Sequence, residues 1–159
     1  MRWGLSPSSI YAAFGDKHAL FSFAVKRYLY SRAQYATKAL EEPTLEKVIR
    51  ALFDNTVAFL TTPGHPPTCM TLAGAMGCSV DAAPARDLMT EVRIQNEAAI
   101  RERLLEARKS GELSKDINVD DYTRYLSSIL AGLSIQAANG STRAELKRTS
   151  LMALRYLGY

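Results

Sequence analysis

Between Leu45 and Leu60 the apolar residues Leu45, Val48, Ile49, Leu52, Phe53, Val57 and Leu60 recur with the helical period of about 3.6 residues, almost without error. A segment patterned this way must bury one long face, and the two-residue alternation of a strand is absent from it. Thr44 caps its start and Pro63-Gly64 stops it. The same grammar recurs downstream. Pro84 introduces a long helix to Ser110-Gly111, with Leu88, Met89, Val92, Asn96, Ala99, Ile100 and Leu104 on one face and Glu97 and Arg101 set to pair four residues apart on the other. Asn118 with Asp121 and Thr142 with Glu145 read as capping boxes, opening helices that run to Asn139-Gly140 and to the C-terminus. A short helix is expected from about Cys69 to Met76, and a long one from Lys17 to about Ala39. No convincing strand is found, so the fold class is all-α.

The chain has 159 residues and 47% hydrophobic content, enough for one substantial core and not the composition of a disordered segment. Its net charge of +4 is compatible with a polyanionic partner, although no run of five Lys or Arg occurs. The longest apolar stretch, Leu126 to Ala138, contains Ser and Gln and falls short of the ~18–20 residues of a membrane span. Two cysteines, Cys69 and Cys78, without a signal-peptide pattern, point to a reducing cytoplasm. Either thiol reads as a small buried hydrophobe or as a redox sensor. His65 and Cys69 lack a second pair of metal ligands, and the two cysteines lack zinc spacing. Neither a Gly-rich phosphate loop nor a nucleophile elbow is present, so no metal, cofactor or catalytic residue is expected.

Residues 4–20 carry the sharpest functional signal. Gly4 suits a tight turn, Ser6 caps a short helix with Pro7 at its first position, Gly15 ends it, and Asp16 caps the next helix, which Lys17 opens. Ile10 and Phe14, four apart, anchor the short helix. The series Gly4, Leu5, Ser6, Ser9, Ile10, Tyr11, Phe14, Lys17, Leu20 resembles the signature of the tetracycline-repressor (TetR) family of bacterial transcription regulators. The remaining helical pattern is similar to that family's regulatory domain. The resemblance divides the chain into residues 1–40, a remnant of the helix-turn-helix DNA-binding region with its linking helix, and residues 41–159, an antiparallel helical ligand-binding and dimerisation domain. Only the last of the family's three DNA-binding helices is complete, with Met1-Arg2-Trp3 resembling the end of the one before. The sequence is therefore expected to be an N-terminally shortened form.

The resemblance implies a ligand-responsive regulator, a repressor, with DNA, a small-molecule effector of unknown identity and a second copy of itself as partners, and with no membrane association. Ser6, Pro7, Ser8, Ser9 and Ala12 would face base edges or sugars, Tyr11 a phosphate, and Lys17 another phosphate at a helix N-terminus, with His18 solvated nearby. A homodimer would place two such helices about one DNA turn, ~34 Å, apart on a near-palindromic operator. The last two helices would form the interface through Leu126, Leu130, Leu133, Leu154 and Leu157, with Ser128, Ala131 and Gly132 permitting close approach. A ligand pocket would draw on Phe53, Val57, Phe59, Met70, Met76, Met89, Tyr122 and Tyr125, which read equally well as plain core. Asn96 and Gln136 are amides on apolar faces that need partners. Two alternatives stand beside this reading. One is a dimeric small-molecule-binding module lacking DNA binding because the N-terminal helices are missing; the other is a small helical enzyme.

Overall fold

The computed structural model describes residues 6–31, 34–73 and 83–159. Among them every regular element is a helix. In chain order these are α1 (Pro7–Phe14), α2 (Lys17–Ser31), α3 (Gln34–Leu40), α4 (Leu45–Leu60), α5 (Met70–Ala73), α6 (Ala83–Ser110), α7 (Val119–Ala138) and α8 (Arg143–Tyr156). The helix expected from Lys17 to Ala39 is thus represented by α2 and α3, and Met76, Gly77 and Cys78 lie outside the described residues.

Helix α4 is the centre of the packing because its apolar residues cover more than one face. Leu45, Ile49, Phe53, Val57 and Leu60 meet Ile100, Leu104 and Ala107 of α6, Val119, Leu126, Leu133 and Ala137 of α7, and Leu146 and Leu154 of α8. On a second face Val48 and Leu52 enclose Ala39 of α3. Each such large side chain contributes about 1.5–3 kcal/mol relative to exposure, so this core is the main term holding the helices together.

The helix starts follow from their caps. Thr44 Oγ1 accepts from the Lys47 N–H at 3.4 Å, and Asn118 Oδ1 accepts from the N–H groups of Asp120 and Asp121 at 2.9 and 3.1 Å. Thr142 and Glu145 bond reciprocally, completing a capping box. One cap crosses the fold. Gly111, at φ 85°, turns the chain out of α6, and Glu112 then reaches back so that its Oε2 accepts from the Leu45 N–H at 2.6 Å. The Leu45 N–H and the Ser110 hydroxyl hold the Glu112 carboxyl below its ordinary range. A depressed folded pKa means that the contribution to stability is present above the unfolded value, about 4.3, and is lost as pH falls through the folded value. Glu112→Gln is therefore expected to melt below the parent at neutral pH, with the gap closing in acid. A gap unchanged from pH 7 to pH 2 in thermal melts would contradict this role.

Candidate functional site

Two regions bear on what the sequence singles out. At the N-terminal end, Ser6 caps α1 through its Oγ, which accepts from the Ser9 N–H at 3.2 Å. Gly15 turns the chain at φ 92°, and Asp16 Oδ1 accepts from the Ala19 N–H at 2.8 Å to cap α2. That bond holds the Asp16 carboxyl below its ordinary range. It also occupies one of the α2 terminal donors, so a phosphate at this point would rely chiefly on Lys17. Ser6, Ser9, Ala12, Lys17 and His18 are all exposed. The side chains of Pro7, Ser8 and Tyr11 lie outside the described residues. Phe14 meets Phe23 of α2 with ring centroids 5.3 Å apart, which ties α1 to the helix that follows it.

The second region is a partly open cavity of about 340 Å³ bordered by α3, α4, α5, α6 and α7. Leu40, Leu52, Leu72, Ile100, Leu130 and Ala131 supply its apolar walls, while Thr56, Asn96, Glu97, Ser127 and Ser134 bring polar groups to it. At one end Cys69 gathers several hydroxyls. The Tyr28 hydroxyl donates to Cys69 Sγ at 3.7 Å and accepts from the Met70 N–H at 3.3 Å, and Thr71 Oγ1 lies 3.0 Å from the same sulfur. Tyr35 stacks on Phe59 at 4.5 Å, and Tyr28 meets that ring edge-on at 6.3 Å. Burial pushes the Tyr35 hydroxyl far above the ordinary tyrosine range, with Cys69 and Tyr28 adding to the shift. Arg93 fastens α6 to this end, its guanidinium donating to Thr71 O at 2.5 Å and to Thr90 Oγ1 at 2.7 Å. Tyr28 belongs to α2, so the cavity end is bonded to the helix that carries α1.

Of the pocket residues expected from sequence, Asn96 lines this cavity. Phe53, Val57 and Met89 do not; they are at most 4% exposed and packed in the core. The reason is angular, since Leu52 and Thr56 take the cavity side of α4 and the next residue in each case points about 100° further round. Met70 is half-buried on α5, where its backbone N–H binds Tyr28. Tyr122 is half-buried with its hydroxyl against that of Tyr159, and Tyr125 is 47% exposed on the outer side of α7. Met76 lies outside the described residues, and Gln136 is exposed.

The leucines expected at a dimer interface are also redistributed. Leu126, Leu133 and Leu154 are at most 4% exposed and fill the subunit's own core, Leu130 faces the cavity, and Leu157 packs on the core beyond α8. What α7 and α8 leave outside is a different set: Tyr125 and Ile135, with Leu151, Met152 and Tyr156. The expected Glu97–Arg101 pair is replaced as well, because Arg101 Nε reaches Asp120 Oδ1 at 2.5 Å. Sequence reasoning missed Tyr35, Leu52, Thr56, Arg93 and Glu97, which reach the cavity from α3, α4 and α6.

Among the described residues no helix is long and apolar enough to cross a membrane, and no cluster of three His, Cys, Asp or Glu is set to hold a metal. The fold is that of a cysteine mutant of the TetR-family transcriptional regulator CifR complexed with 26-bp double-strand operator DNA, with a TM-score of 0.88 and 29% identity over 95% of this chain and 80% of that one. A TetR-type regulator from Rhodococcus sp. RHA1 superposes with a TM-score of 0.70 at 29% identity, covering 96% of this chain and 82% of that one. In sequence the chain is 30% identical over 137 residues to the HTH-type transcriptional regulator YezE of Bacillus subtilis (strain 168), covering 84% of this chain and 70% of YezE. It is 22% identical over 154 residues to the HTH-type transcriptional repressor ComR of Escherichia coli (strain K12), covering 96% of this chain and 73% of ComR. The model for the tetracyclin repressor-like C-terminal domain matches residues 45–150, which takes in α4 to α7 of the helices around the cavity and leaves out α3. With its helical domain matched by that model and its α1–α2 segment carrying the signature, the chain belongs to the TetR family of transcription regulators.

Proposed function

We propose that this chain is an effector-responsive, DNA-binding repressor acting in the cytoplasm as a homodimer, in which a small molecule entering the cavity displaces α2 and with it α1. The observation that carries this is the bonding of Tyr28 on α2 to Cys69 and Met70 at the cavity end. A ligand that moves Cys69 must move or break those bonds. If the ligand weakens DNA binding, DNA must weaken ligand binding by the same factor.

In this reading Ser6, Ser9 and Ala12 face the groove, together with Pro7 and Ser8, while Tyr11 and Lys17 hold phosphates. The dimer contact is the outward stripe of α7, Tyr125, Gly132 and Ile135, with Leu151, Met152 and Tyr156 of α8. A Cβ added at Gly132 meets nothing within 4 Å, which leaves room for a second helix there. The seam between reader and regulatory domain lies ahead of α3, because Ala39 is buried against α4.

Selection from random duplex DNA tests the proposal, run with residues 4–20 following two further helices, as the family resemblance arranges them. The expected product is a near-palindrome. Lys17→Ala is expected to weaken every selected duplex alike and to lower the slope of log K against log salt by about 0.9 for each phosphate released. Altered base preference with an unchanged slope would remove Lys17 from the phosphate. Ligand binding and dimerisation without any selected duplex would support instead the module that does not read DNA.

A further inference from the structure

Helix α5, Met70–Ala73, is a single turn, and a single turn does not hold itself, because fixing its backbone costs more than its few internal bonds return. It is held from two sides. From α2 the Tyr28 hydroxyl accepts from the Met70 N–H at 3.3 Å, one of the donors that a helix start leaves without an internal partner. From α6 the Arg93 guanidinium donates to Thr71 O at 2.5 Å, one of the carbonyls that a helix end leaves without one. Cys69 joins the two holds, since its Sγ accepts from Tyr28 and lies 3.0 Å from Thr71 Oγ1.

Different bodies stand behind the two holds. Helix α6 is anchored in the core through Ile100, Leu104 and Ala107, whereas α2 carries α1. Arg93 is itself aimed. Its other amino group donates to Thr90 Oγ1 at 2.7 Å, and the Thr90 hydroxyl donates in turn to Arg86 O at 2.9 Å. A bond from a charged donor is about twice as strong as one between neutral groups, so the Arg93 hold on Thr71 is a firm one. Arg93, Cys69, Thr71 and Leu72 all line the cavity, so an occupant at this end touches the clamp itself.

We propose that Arg93 is the positioning residue that transmits cavity occupancy to α2: it fixes residues 69–71 to α6, and an occupant acts by dislodging it from Thr71 O, which loosens the seat of Tyr28. This rests on the reading of the cavity as the effector site. Without Arg93 the turn is already released, and an occupant has nothing further to release. The test is amide hydrogen exchange of the 159-residue chain, followed over α2 and over residues 69–73. Arg93→Gln is expected to speed exchange at residues 69–73 about tenfold or more, as loss of a bond from a charged donor implies, and to speed it around Tyr28, to which Arg93 makes no bond. Ala131→Phe, which fills the cavity from α7, is expected to speed exchange in α2 of the parent but not of Arg93→Gln. Arg93→Lys keeps a charged donor for Thr71 O and is expected to restore both the slow exchange and the response to Ala131→Phe. Thr90→Val removes the oxygen that aims the guanidinium and is expected to act as a weaker Arg93→Gln, which keeps the test open if that variant does not fold. Faster exchange confined to residues 69–73, or an equal response of α2 to Ala131→Phe with and without Arg93, would overturn the role of Arg93 and leave the effector cavity standing. An α2 that does not respond to Ala131→Phe in the parent would overturn both together.

Discussion

Phe53→Ala is expected to lower the unfolding free energy by about 3–5 kcal/mol, the range for removing a fully enclosed ring. Phe53 has no exposed surface and sits where α4 meets α6, α7 and α8, so the hole left by the ring is bordered by several helices at once. Those neighbours cannot close it without shifting whole elements, which places the loss toward the upper part of the range. Against a domain stability of about 5–15 kcal/mol this is a large fraction. Urea denaturation measures it. A loss under about 1 kcal/mol would mean that Phe53 faces a space able to collapse, as a residue lining a ligand cavity does, and would contradict its place in the core.

The second large effect concerns assembly. Ile135→Glu combined with Met152→Glu is expected to give folded monomers at micromolar concentration. Ile135 is 42% and Met152 58% exposed, so a carboxylate at either point stays hydrated in the subunit but is desolvated or repelled where two copies meet. Leu154→Glu is expected to behave differently. At 4% exposure its carboxylate would be buried without a partner, and the subunit should unfold or aggregate rather than dissociate cleanly. Analytical ultracentrifugation with circular dichroism separates the outcomes. A dimer that survives the double substitution, or a Leu154→Glu protein that remains a folded monomer, would place the interface back on the leucines.

The fold was legible because its signals are local. The period of α4 lies within Leu45 to Leu60, and the caps at Ser6, Asp16, Thr44 and Thr142 each close over three or four residues. What was not legible needed a neighbour from elsewhere in the chain. Phe53 and Leu52 are adjacent apolar residues, and only the positions of α3 and α6 decide that one is core and the other cavity wall. The apolar surplus of Leu126, Leu133 and Leu154 is covered by α4, which no pattern within α7 or α8 announces. Arg101 had a carboxylate four residues away in Glu97, yet Asp120 at the start of α7 holds it.

The claim on which the functional account turns is that the cavity and α1 are linked through Tyr28. Affinity for the selected duplex, measured for the parent, Ala131→Phe, Tyr28→Phe and the double variant in a mutant cycle, tests it without requiring the natural ligand, because the added ring in Ala131→Phe stands in for an occupant. Ala131→Phe is expected to change duplex affinity by about fivefold or more, the lower end of usual allosteric coupling, and this change should shrink when Tyr28→Phe removes the hydroxyl that bonds Cys69 and Met70. Equal duplex affinity with the cavity open and filled, in a protein whose melting curve shows it folded, would contradict the account.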